Sequence, residues 1–271
     1  LLQKHKSKMT KMRSIAFINQ KGGVGKTTST ANVGACLAEA GKKVLLIDLD
    51  PQANLSIHFG INVQGKDSSI YEIMCGKKSY TDVLLKTSID GLEIIPSDID
   101  LASAEVELVN TVGRETIVKF YLEKMLADYE YVLIDCPPSL GLLTLNALTV
   151  ANEIFIPLQT EFFALQGVSK LIQTFDVIKK RLNSKLEITG IIPCMYDSRT
   201  KLGQAVLDKI KEYFADKVFV TNIRKNIKLS EATSHGVPIT VYAPESNGAQ
   251  DYEALTKEIV AQETKHPKEM V

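Results

Sequence analysis

The sequence predicts an α/β protein: a single doubly wound, mostly parallel sheet with helices on both faces. Three observations lead there. Short apolar runs alternate with helix-compatible stretches along the 271 residues, the pattern of β-α-β units that build parallel sheets. Several of those runs, such as 44–47 and 131–134, are apolar throughout, as strands covered on both faces require. Three segments rich in chemistry (19–28, 48–52 and 135–139) each follow such a run, at the strand ends where open α/β sheets bind ligands.

Taken in order, residues 1–12 carry Lys4, Lys6, Lys8 and Lys11 and lack the apolar stretch of a secretory signal, so they read as a flexible basic tail. Because the first residue is leucine, Met9 or Met12 is the expected start. One domain then spans 13–262, and 263–271 is a second tail. Residues 15–18 form the first strand and 29–40 the first helix, with Gly41 at its C-cap. The second strand, 44–47, ends in Asp48-Leu-Asp-Pro-Gln52. Short helices are expected at 69–75 and 80–86, a strand at 91–96, and helices at 101–109 and 114–128.

The strand at 131–135 leads into Cys136-Pro-Pro138. Beyond it the alternation is regular: helix 140–150, strand 154–157, helix 164–182, strand 186–193, helix 202–214. A short strand at 218–220, a helical turn at 230–234 and a closing helix at 250–262 complete the chain. The stretch 131–158 is long and apolar, but Asp135, Pro137, Pro138, Asn146, Asn152 and Glu153 interrupt it, which argues for buried strand, turn and helix over a membrane span. No internal repeat or linker is evident.

Apolar residues make up 45% of the chain, ample for a buried core, and 32 basic residues balance 32 acidic ones. Nucleic-acid binding would therefore need local clustering of charge. Cys36, Cys75, Cys136 and Cys194 form no C-x-x-C pair, and His5, His58, His235 and His266 are scattered. A metal cluster is not expected, and reduced thiols suit a cytoplasmic protein.

The chemistry centres on Lys21-Gly-Gly-Val-Gly-Lys-Thr-Thr28, placed between strand and helix. Gly22, Gly23 and Gly25 let backbone approach an anion, and with Val24, Thr27 and Thr28 they form a loop whose amides and helix dipole favour phosphate. Lys26 supplies charge for the outer phosphates and Thr27 an oxygen for magnesium. The loop departs from G-x-x-x-x-G-K-[ST] at Gln20, where a glycine is usual, and carries a second lysine, Lys21, at its mouth. Asp135 sits where a phosphate-loop ATPase keeps its magnesium-side carboxylate. Asp48 and Asp50, two apart in an extended segment, point the same way and can orient metal-bound and attacking water. Turn chemistry at Asp50-Pro51 is the plainer alternative.

These residues resemble the ParA/Soj branch of the deviant Walker A ATPases within the MinD/ParA superfamily. So do Ile134-Asp-Cys-Pro-Pro-Ser-Leu-Gly141, Arg224-Lys-Asn-Ile-Lys-Leu-Ser-Glu231 and 236–249, and the likeness runs from about residue 13 to 262. The resemblance implies an ATP-dependent DNA-partitioning switch that uses ATP and Mg2+ and pairs into a homodimer with ATP between subunits. Lys21 would reach the partner's phosphates, Lys26 would hold the β/γ phosphates, and Asp50 would hold the attacking water. Thr27 and, through water, Asp135 and Asp48 would serve the metal. The base would lie near Met195, Tyr196 and Asp197, and no N-K-x-D guanine-reading sequence occurs.

Between Arg199 and Lys228 eight basic residues face three acidic ones. Solvated helix charges are the bland explanation. The resemblance implies non-specific double-stranded DNA binding by the ATP dimer through Arg199, Arg224, Lys225 and Lys228, with hydrolysis stimulated by a ParB/Spo0J-like centromere-binding protein. Hydrolysis without that partner is expected to be weak, and the protein to be cytoplasmic and nucleoid-associated. With only about a dozen residues before the first strand, no added N-terminal DNA-reading domain is expected. The alternative is a MinD-like, membrane-associated regulator of the division site. The end of the chain holds Glu258, Glu263, Glu269 and Pro267 without Phe or Trp, unlike a basic membrane-binding helix. A redox ATPase resembling the nitrogenase iron protein would want paired cysteines.

Overall fold

A computed structural model describes residues 12–160 and 166–265. In chain order its elements are β1 (Arg13–Phe17), α1 (Lys26–Glu39), β2 (Val44–Asp48), α2 (Asn54–His58), α3 (Ile70–Met74), β3 (Leu85–Lys86), β4 (Leu92–Ile95), α4 (Leu101–Glu107), α5 (Ile117–Leu126) and β5 (Tyr131–Asp135). They continue as α6 (Leu142–Val150), β6 (Glu153–Gln159), α7 (Gln166–Arg181), β7 (Glu187–Tyr196), α8 (Lys201–Phe214), β8 (Ile223–Arg224), α9 (Ile227–Ser234), α10 (Ile239–Tyr242) and α11 (Asn247–Lys265). The strands form one sheet in the order β3-β4-β2-β5-β1-β6-β7-β8. Every pairing is parallel except the β3–β4 edge.

The uniformly apolar runs become the centre of the sheet, where β1, β2 and β5 are buried along their whole length. Alternate side chains feed two cores. Leu45, Ile47, Val132 and Ile134 pack with α3 to α8. Leu46, Leu133, Phe17 and Phe155 pack with α1, α2, α9, α10 and α11 on the other face. The doubly wound expectation therefore holds.

Some local expectations do not. The segment 218–220 is no strand: Val218 makes an isolated bridge to Ile191, while the Val220 and Thr221 amides donate to the Glu258 carboxylate at 2.9 and 2.8 Å. A side chain on α11 has taken the donors a ladder would use, and the edge strand forms later, at Ile223–Arg224. Residues 80–86 split into a 3-10 turn, Tyr80–Asp82, and the antiparallel β3. The turn at 230–234 is part of a longer helix from Ile227, begun by the Asn226 side chain accepting from the Lys228 amide. The short helices α2 and α10 had no periodic signal over five and four residues. Residues 263–265, expected in the C-terminal tail, instead extend α11, where Glu263 accepts from the Tyr131 hydroxyl. The rest of the two tails, 1–11 and 266–271, and the start of the 164–182 helix lie outside the described residues.

At the amino ends of the strands, the Arg13 guanidinium makes two 2.7 Å bonds to Glu153 and donates to Ile259 O and Gln262 Oε1. Both partners of this pair are buried. It fastens α11 across β1 and β6.

His58, at the end of α2, is buried with Nδ1 3.0 Å from Thr233 Oγ1 of α9. Its Nε2 has no partner among the described residues. Burial pushes its pKa down from 6.5 to about 4. Charging it therefore costs energy in the folded state alone, so stability is full above pH 6.5 and falls as pH drops toward 4. His58→Leu should flatten that limb in urea unfolding measured from neutral pH to about pH 4.5. Wild type should lose up to about 3 kcal/mol more than the variant.

Candidate active site

The three predicted segments meet at the carboxyl edge of the sheet. β1, β5 and β2 lie side by side, with Phe17 opposite Asp135 and Asp135 opposite Asp48 in the ladders. Gly25 precedes α1 with φ +96°, a left-handed conformation that glycine adopts without strain. Among the described residues no side chain caps this helix, and its first turn holds no acid. The amides of Lys26, Thr27 and Thr28 are thus left to an outside acceptor. Farther round, Gly23 is also left-handed, whereas Gly22 is not. Val24 is buried under the loop and Lys26 is almost wholly buried, so its charge is held within the cradle.

Two amide side chains bolt the loop to β6. Asn19 donates to Pro157 O at 2.7 Å and accepts from the Lys21 amide at 3.0 Å. Gln159 donates to Gly23 O at 3.0 Å and accepts from Lys21 Nζ at 2.6 Å. Neither was read from the sequence. Gln159 could have been, since it ends the fourth strand that points at the loop.

Thr27 Oγ1 donates to Asp135 Oδ2 at 2.6 Å. The other oxygen, Asp135 Oδ1, is buried without a hydrogen-bond partner among the described residues. An orphaned carboxylate oxygen beside a hydroxyl is a hard oxygen donor set that fits magnesium. Burial raises the Asp135 pKa well above its ordinary value. Facing Asp48 adds to this, while the Thr27 bond and Lys26 charge oppose it. Burial likewise pushes Asp48 up to about 7, against its bonds from Ser56 and Asp50. Two acids so close in a dry site favour a bound cation.

Asp48 and Asp50 do not act alike. Asp48 Oδ2 accepts from the Ser56 amide and hydroxyl at 2.9 and 2.7 Å, and Oδ1 from the Asp50 amide at 3.2 Å. Asp48 thus shapes the turn that carries Asp50. Asp50 Oδ1 accepts from the Gln52 amide at 2.9 Å, and Ala53 closes the turn with φ +52°.

At the end of β7, Met195 is left-handed and interrupts the β7–β8 register. Tyr196 donates to Gln204 at 2.8 Å. The Asp197 carboxylate takes a two-pronged bond from Arg199 at 2.9 and 2.7 Å, which lowers its pKa to about 2. Cys194, which precedes them, borders the loop: a Cβ on Gly25 would touch it.

The basic stretch is less positive than its own count suggests. Acids from elsewhere enter it: Asp251 of α11 binds Arg224 through bonds of 2.6 to 3.0 Å, and Asp197 binds Arg199. Glu258 joins them at Thr221. Arg224 is thereby a clamp between β8 and α11. Lys225 and Lys228 remain exposed.

A glycine loop on an uncapped helix, a threonine–aspartate pair and a shaped acidic turn at one sheet edge define a phosphate-loop nucleoside triphosphatase. The chain matches the model of an AAA domain over residues 12–188. It is 48% identical over 247 residues to the sporulation initiation inhibitor protein Soj of Bacillus subtilis, covering 91% of this chain and 98% of that one. It is 50% identical over 251 residues to the chromosome-partitioning ATPase Soj of Treponema pallidum, covering 93% and 98%. A solved structure of cobyrinic acid a,c-diamide synthase from Mycobacterium smegmatis, with bound ADP and magnesium, superposes with a TM-score of 0.82 at 35% identity. That match covers 96% of this chain and 98% of the other. The chain belongs to the ParA/Soj family of chromosome-partitioning ATPases.

Proposed function

We propose that this ATPase is an ATP-gated, non-specific DNA binder that partitions DNA. The observation that carries the reading is the single site assembled from Lys21–Thr28, Asp50 and Asp135, with a lysine at the loop's mouth. The amides of 22–28 would cradle the phosphates of ATP, with Lys26 on the outer ones. Thr27 and Asp135 would hold magnesium, with Asp48 supporting through water while it fixes the acidic turn. When bound, the metal supplies charge neutralisation to the β- and γ-phosphate oxygens. Asp50 would align the attacking water, and Lys21 would reach across to the phosphates of a second copy. Met195, Tyr196 and Asp197 would flank the base.

No residue among those described supplies an arginine to this site in cis, so turnover by the chain alone should be slow. A ParB/Spo0J-like partner would accelerate it and release the DNA. The single domain at 13–262 would suffice for this cycle in the cytoplasm. Exposed Lys225 and Lys228 favour a contact with phosphates alone, insensitive to base sequence. Arg199 and Arg224 would join it only by exchanging their carboxylates for phosphate.

A membrane-associated role is less favoured by α11. Its apolar side, with Tyr252, Leu255 and Ile259, is spent on the core against α1. Among the described residues no helix is long and apolar enough to cross a membrane.

Double-stranded DNA binding without nucleotide, with ADP and with ATP, over a salt series, tests the reading. Binding is expected with ATP alone, to vanish in Lys21→Ala, and to weaken steeply with salt. DNA binding in no state would remove the switch.

A further inference from the structure

Gln159 closes β6 and is the last residue of that strand paired to β7, opposite Cys194. Its backbone is therefore fixed by the sheet, and its amide reaches three parts of the site. Oε1 accepts from Lys21 Nζ at 2.6 Å, Nε2 donates to Gly23 O at 3.0 Å, and Nε2 also lies 3.0 Å from Met195 Sδ. The Lys21 ammonium is thus drawn back onto its own subunit. In this position the ammonium is directed at β6 of its own subunit, and moving it toward a second copy would stretch or break the bond to Gln159.

We propose that Gln159 is a positioning residue for Lys21. It stows the ammonium against its own loop until a second, nucleotide-loaded copy offers a stronger acceptor. Breaking the Gln159–Lys21 bond is then part of the cost of dimerisation, and Gln159 sets how much ATP the dimer needs. Triphosphate oxygens outcompete a neutral amide for an ammonium because the bond becomes charge-assisted from both sides. The release is thereby tied to nucleotide in the partner. The same amide holds Gly23 O, so the stowed lysine and the loop backbone share one anchor.

This inference rests on the reading of Lys21 as the residue that crosses to the partner. The test measures the ATP-dependent dimer dissociation constant by sedimentation, in an Asp50→Ala background that slows hydrolysis. Gln159→Leu removes this one acceptor and should tighten the dimer by roughly 2- to 12-fold, the range of one net hydrogen bond. Gln159→Glu replaces it with a carboxylate and should weaken the dimer by at least as much. Both variants lose the donor to Gly23 O, so a merely structural role would move them in the same direction. Shifts of the same sign, or no shift in either, overturn the assignment when Lys21→Ala in that background still abolishes the dimer. A Lys21→Ala protein that dimerises like its parent removes the trans-lysine reading and this inference together.

Discussion

Asp50→Ala is expected to lower ATP turnover by about 10²- to 10³-fold, within the span for losing a residue that positions or activates the attacking group. The ATP-dependent dimer and its DNA binding should persist. The residue can be removed cleanly because its turn does not depend on it alone. Asp48 and Ser56 hold the turn through the Asp50 and Ser56 amides, and the Ala53 amide bonds to the Asp50 carbonyl. Alanine keeps those backbone bonds and loses the side-chain bond to Gln52. Single-turnover hydrolysis separates chemistry from product release. Near-normal turnover in the variant would exclude Asp50 as the water-positioning group.

Arg13→Met should destabilise the fold by about 3–5 kcal/mol, the cost of leaving one member of a buried ion pair uncompensated. Glu153 keeps a bond from Thr189 at 2.8 Å, which is insufficient for a carboxylate that buried. The Ile259 carbonyl also loses the bond from the guanidinium. Replacing both charges, as Arg13→Met with Glu153→Leu, should recover much of the loss, because well-packed apolar pairs can match buried ion pairs. Urea unfolding of the two variants decides it. A single variant within 1 kcal/mol of wild type would show the pair to be solvated.

The central sheet was legible because β1, β2, β5 and β6 carry runs (15–17, 44–47, 131–134 and 154–158) that are apolar on both faces. The loop at 21–28, Asp50 and Asp135 were legible because each follows such a strand and few residue types perform their chemistry. Other features escaped because they depend on residues far apart in sequence. Ser56 and Gln159 read as ordinary polar residues until the sheet brings one to Asp48 and the other to Lys21. The charge of 199–228 looked unbalanced because Asp251 lies outside it, 27 positions from Arg224. The edge strand at 223–224 was missed since Glu258, not a neighbouring strand, decides where pairing begins.

The closing helix has a consequence for the order in which the molecule can be made. Tyr252 meets Ser29 of the phosphate-loop helix across 223 positions, and Ile259 accepts from Arg13 across 246. On the ribosome β1, the glycine loop and α1 emerge well before α11, so the surface that buries one side of α1 arrives only after the 223 positions that separate Ser29 from Tyr252. Until then that side of α1 has its apolar residues exposed and no tertiary partner there. Contacts of such long range close slowly, and partly folded chains with exposed apolar faces are prone to associate wrongly. The seating of α1, the helix on which the glycine loop stands, thus waits for α11 rather than for the appearance of the loop itself.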